Sequence, residues 1–186
     1  FIPAGGTRSF RGWGARHVQG LPGAASTCWW LVDRSEHFQI ELFQFEAPLA
    51  RLMPADFRPC DIGYARVGFW VQDFDRTLER LAALGTPPLT APVGEAGGRR
   101  VCVRNPEGVF IEVMEDDPLR GRSRDARPDC RVAARSVTLS VPDLEKSKRY
   151  FMGALDMPES KAAMRCPEHE ALWGLDGATT RSVVLD

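Results

Sequence analysis

A glutamate in the middle of an apolar strand has the strongest claim to chemistry in this sequence. Glu112 lies in Val109-Phe110-Ile111-Glu112-Val113-Met114. Alternation puts Phe110, Glu112 and Met114 on one face and Val109, Ile111 and Val113 on the other. A carboxylate among such neighbours needs a partner, because burying an unpaired charge is costly. The partner is a metal ion or a cationic side chain. Glu41 has a related setting between Ile40 and Leu42. Arg66, Gly68 and Trp70 share one face of the stretch 66–71. A cation beside an aromatic wall suits a planar, oxygen-rich or carboxylated small molecule. Trp29, Trp30, Phe43 and Phe110 are further candidates for that wall. The alternative is that these aromatics fill the core between sheet and helices.

Other chemistry is sparse. His17 is expected in an irregular stretch, His37 at a strand edge, and His169 in a loop or strand entry, all three at the surface. The five cysteines, Cys28, Cys60, Cys102, Cys130 and Cys166, are odd in number and widely spaced, and none forms a CxxC pair. That argues against a disulfide framework or zinc knuckle and for free thiols in a reducing cytoplasm. No GxSxG, P-loop or GxGxxG occurs. Net charge is −1, so no global field favours nucleic acid or an anionic membrane. No apolar run approaches the roughly 18 residues of a membrane span.

The elements that must position these residues can be read from periodicity. Val67, Phe69 and Val71 alternate as in a strand. Asp73 is suited to cap a helix over 74–84, whose Leu78, Leu81 and Leu84 recur at helical spacing before Gly85. The same series returns 70 residues later, from Val67 to Val137: Val137, Leu139 and Val141, then Asp143, then a helix over 144–155. The aligned series predicts a structural repeat. Residues 99–104 and 109–114 flank the turn Asn105-Pro106-Glu107-Gly108 and predict a hairpin. A second match, Gly20-Leu21-Pro22-Gly23-Ala24 with Gly174-Leu175-Asp176-Gly177-Ala178, lies 154 residues apart, and the strand pattern 28–32 then matches 182–186. Residues 117–128 have no apolar periodicity and read as a solvated linker.

The motifs Val137-Thr138-Leu139-Ser140-Val141-Pro142-Asp143-Leu144-Glu145-Lys146-Ser147 with Tyr150-Phe151, Asn105 to Val113, and Phe38-Gln39-Ile40-Glu41-Leu42-Phe43 resemble the vicinal oxygen chelate superfamily. This is the group of glyoxalases, bleomycin-resistance proteins and extradiol dioxygenases. The resemblance implies an α+β fold: tandem βαβββ units whose curved mixed sheets form a cleft, with helices outside. The expected layout is a first paired domain at 1–117 without its opening strand and helix, a linker at 118–133, and the first unit of a second domain at 134–186. On this reading the sequence stops short of both extremities of the protein, which is expected to form a homodimer.

The resemblance also implies a site. Family ligands for a divalent metal (Fe, Mn, Ni or Zn) come from the first and last strands of each unit, His or Gln from the first and Glu from the last. Glu112 and Glu41 match the glutamate positions. Arg66 and Ser136 stand where a ligand His is expected, and a protonated guanidinium is no metal ligand. Arg66 is therefore expected to pair with Glu112 or Glu41, with Arg66, Trp70 and Phe110 facing a small-molecule substrate. Two functions are implied. One is a metal-dependent dioxygenase or glyoxalase-type lyase. The other is a metal-free binding or sequestering protein, which Arg66 and Ser136 favour.

Overall fold

The computed structural model describes residues 1–36, 38–121, 125–161 and 171–186. His37, Cys166 and His169 lie outside the described residues. The fold is α+β, with two open sheets and three helices among the described residues. The chain groups into two compact units, residues 1–52 with 124–133, and residues 53–123 with 134–186.

The first unit contains β1 (Ile2–Arg11), α1 (Trp13–Gln19), β2 (Ala25–Val32) and β3 (Gln39–Ala47). Its sheet runs β1-β2-β3, antiparallel throughout. β1 had no alternation to reveal it. It carries Pro3, Gly5 and Gly6, and its register with β2 slips twice, so its side chains do not keep a period of two. Gly6 nonetheless has a packing reason: a Cβ there would meet the Trp29 ring at 2.7 Å. His17 is not in an irregular stretch. It lies exposed on α1, its ring 4.0 Å from that of Trp13. Seven residues give α1 barely two turns, too few for a periodic signal. Part of the segment read as a solvated linker is bound in this unit. Arg34 pairs with Asp125 at 2.7 Å, the Ala126 amide donates to the Arg34 carbonyl, and Cys130 is buried.

The second unit contains β4 (Gly63–Val71), α2 (Phe74–Ala83), β5 (Arg100–Arg104), β6 (Phe110–Met114), β7 (Val132–Ser140, from Ala134 onward) and α3 (Leu144–Leu155). The sheet order is β5-β6-β4-β7. β6 runs parallel to β4 and antiparallel to β5. Between α2 and β5 the chain touches the sheet through single bridges, Pro88 to Val103 and Val93 to Arg100. Both expected caps form. Asp73 accepts from the Arg76 amide at 3.2 Å and Asp143 from the Lys146 amide at 2.9 Å, each interaction worth about 1 kcal/mol.

The two glycine-rich segments matched at 154 residues fold alike locally. Gly20 and Gly23 have φ of 65° and 71°, and Gly174 and Gly177 have 72° and 68°. In each, the alanine amide bonds the leucine carbonyl three residues back, Ala24 to Leu21 and Ala178 to Leu175. The left-handed backbone explains why glycine recurs at both positions. Among the described residues, 182–186 make a single isolated bridge, Leu185 to Glu159, in place of the expected strand.

Candidate functional site

The second unit's sheet sorts its side chains cleanly. Cα registry places Gly68 beside Glu112 and Cys102, Arg66 beside Phe110 and Arg104, and Trp70 beside Met114 and Arg100. These nine residues share one face. Val67, Phe69, Val71, Ile111, Val113, Val101 and Val103 take the other.

Glu112 is buried at the centre of the nine-residue face. Arginines from both flanking strands reach it diagonally. Arg66 Nε donates to Glu112 Oε2 at 3.2 Å, and Arg100 Nη1 donates to Oε1 at 3.0 Å. Gly68 lies directly beside Glu112 in register, and the side chains of Ser136 and Met114 close in over it. Burial lowers the Arg66 pKa from its ordinary value, and the Glu112 charge works against that shift. Cys102, fully buried beside Glu112, has its thiol pushed up to about 12, first by burial and then by the carboxylate.

The aromatic against Arg66 is one that the sequence pattern did not single out. Trp173 lies with its ring centroid 3.7 Å from the Arg66 guanidinium carbon. Together with Leu172 it packs into a cluster with Cys102, Phe110, Phe57 and Val93. Trp70 shares the face but is spent elsewhere, its indole donating to the Glu115 carbonyl at 3.2 Å. Phe110 is buried under Arg104, whose guanidinium carbon sits 5.3 Å from the ring centre, with Phe57 alongside. Arg100 and Trp173 gave no signal of their own in the sequence. Arg100 sits at the end of a hairpin strand like any surface arginine, and Trp173 arrives through tertiary packing.

Glu41 lies exposed on β3 of the first unit and accepts from Gln39 Nε2 at 3.0 Å. It stands in a different compact unit from Glu112.

A divalent metal does not fit at Glu112. Both carboxylate oxygens already accept from guanidinium groups, and two fixed positive charges would repel a cation. Among the described residues no group of three His, Cys, Asp or Glu side chains is placed to hold a metal. What the arrangement can do is hold an anion. Among the described residues Glu112 is the sole acceptor of an Arg66 hydrogen bond, so the terminal nitrogens of Arg66 remain available as donors. The guanidinium lies over an aromatic ring, and the side chain is 12% exposed.

A solved structure of a glyoxalase family protein from Bacillus cereus superposes on this chain with a TM-score of 0.54 and 26% sequence identity. The match covers 61% of this chain and 76% of that one. The fold is glyoxalase-like. The likeness supports the superfamily and no particular activity. No protein-family model matches the chain, and no curated protein does. Among the described residues no helix of this glyoxalase-like chain is long and apolar enough to cross a membrane.

Proposed function

We propose that the second unit binds a small planar molecule carrying a carboxylate, using Arg66 as the anchor and no metal at Glu112. One observation carries this reading: the position of a metal-ligating carboxylate is instead an Arg66–Glu112–Arg100 cluster. Glu112 fixes Arg66 in place, and Trp173 fixes the plane of its guanidinium. A pre-oriented guanidinium loses little freedom on meeting a carboxylate. Phe57, partly exposed where it packs on the buried Phe110, supplies apolar surface for the body of the ligand.

Calorimetry with benzoate, salicylate and protocatechuate tests the proposal. Saturable binding of at least one is expected, weakened at least about tenfold in Arg66→Gln, because hydrogen bonds to charged groups contribute about 1.5–3 kcal/mol. Unchanged affinity in that variant rules out the anchor role. The second reading, a metal-dependent dioxygenase or glyoxalase-type lyase, draws on the likeness to the Bacillus cereus glyoxalase family protein. It requires donors other than Glu112. Metal analysis of the purified protein separates the two: stoichiometric Fe, Mn, Ni or Zn supports the lyase or dioxygenase.

A further inference from the structure

We infer that the indole N–H of Trp173 is a second donor to the ligand of this site, and that the group it meets is the ligand's carboxylate. The inference rests on the anion-binding reading above and adds a residue to it. Trp173 is 7% exposed, and its Nε1 is enclosed with no acceptor among the described residues. Such an atom is uncommon. Buried polar groups in folded proteins are almost always paired, and an exception calls for water, a ligand or a functional role. Trp70, on the same sheet, follows the rule by donating to Glu115. An indole nitrogen can only donate, so the partner that completes Trp173 is an acceptor.

The neighbourhood narrows the kind of acceptor. The Arg66 guanidinium carbon lies 3.7 Å from the centre of the Trp173 ring, so the guanidinium and the indole belong to one site. Both are donors, and one of them is charged. A carboxylate brings two acceptor oxygens and the matching charge, so one oxygen can meet Arg66 and the other Trp173. Phe57, partly exposed against the buried cluster of Leu172 and Phe110, is apolar, which favours an aromatic body behind the carboxylate. A neutral alcohol of the same shape would satisfy the indole and leave the guanidinium unmatched.

The test is a titration followed on the indole resonances of the protein labelled with 15N tryptophan. Five signals are expected, from Trp13, Trp29, Trp30, Trp70 and Trp173, and Trp173→Phe assigns the relevant one by its loss. On adding salicylate, the Trp173 indole proton is expected to move downfield as it gains a charged acceptor, while the Trp13 signal stays in place. Benzyl alcohol at the same concentration is expected to leave the Trp173 signal near its starting position. Salicylate affinity in Trp173→Phe should fall about tenfold, the loss of one hydrogen bond to a charged group. If that variant does not fold, the titration of the unsubstituted protein decides, with the signal assigned by elimination through single substitutions of the other four tryptophans.

Salicylate binding that depends on Arg66 but leaves the Trp173 signal unmoved would overturn this inference and leave the anion-binding reading standing. A Trp173 proton already bonded to an enclosed water, unresponsive to salicylate, would overturn it in the same way. Absence of binding by salicylate, benzoate and protocatechuate alike would overturn both.

Discussion

At the scale of single residues, the cluster around Glu112 combines like and unlike charges out of water. Arg66, Arg100 and Glu112 are each about nine-tenths buried at the side chain. Such a cluster costs desolvation, and its members depend on one another. Removing the shared carboxylate should therefore hurt most, because it leaves two buried guanidinium groups facing each other. Glu112→Ala is expected to destabilise the second unit by about 3–5 kcal/mol. Arg66→Met should cost less, since Glu112 keeps Arg100 and the methionine fills the space over Trp173. Urea unfolding of both variants checks the order, and equal losses would mean the carboxylate is not the shared support.

Cys102 offers a second test at this scale, through pH. Its thiol is pushed up to about 12 in the folded chain, against about 8.5 when unfolded. Above pH of about 8.5 the unfolded state has lost its proton while the folded state keeps it, so stability falls as pH rises. The expected slope approaches about 1.4 kcal/mol per pH unit until the folded pKa is reached. Comparison with Cys102→Ala removes the background from lysines and tyrosines. The stability gap between the two proteins should narrow between about pH 8.5 and 11, and a gap that stays constant would show that the thiol titrates normally.

At the scale of elements, the sheet of the second unit rests on close approaches that only particular residues permit. Gly68 on β4 is the sharpest case. A Cβ there would fall on Ser136 Oγ of β7 and lie 3.1 Å from Met114 Cε. The expected result is that Gly68→Ala destabilises by about 1–3 kcal/mol through overpacking. Ser136→Ala removes the obstructing oxygen, so the double variant should recover a large part of that loss. Chemical denaturation of the single and double variants measures the coupling, and strict additivity would show that β7 has room to shift. The sequence made most of this layer readable. Asp73 and Asp143 could be recognised as caps because capping is chemistry between residues three apart, and the β5–β6 hairpin could be recognised from its turn. Local signals of this kind need no knowledge of the fold. β1 was hidden for the converse reason. Its glycines and bulges fit the rings of Trp29 and Trp30, and nothing nearby in sequence reports that.

The same distinction governs the site. Arg66 and Glu112 were legible together because strand alternation fixes faces, and the resemblance fixed which strands are neighbours. Trp173 was not legible, because its place over Arg66 depends on how a distant turn packs. Arg100 was visible as a strand residue, but its diagonal reach to Glu112 follows from side-chain length and from the β5–β6 register.

At the scale of the whole molecule, two sheets related by sequence pattern have different support. Glu41 on β3 and Glu112 on β6 occupy corresponding last-strand positions in the resemblance. β6 is hydrogen-bonded on both sides, by β5 and β4. β3 ends its sheet, paired among the described residues with β2 alone. Registry puts Trp29 opposite Leu42 and Leu31 opposite Ile40 on one face of that sheet, and Trp29 and Leu42 remain exposed. The core of the second unit encloses Val101, Cys102, Val103 and Met114 almost completely, each such aliphatic side chain contributing about 1.5–3 kcal/mol. Local stability should follow that contrast. In native-state hydrogen exchange, the amides of Ile111 and Val113 on β6 are expected to exchange at least about 100-fold more slowly than those of Leu42 and Phe43 on β3. That ratio corresponds to a difference of about 2.7 kcal/mol in opening free energy. In rising urea, the first-unit strands should lose protection first. Equal protection on β3 and β6 would mean that the first sheet draws stability from a partner at its open edge or on its exposed apolar face.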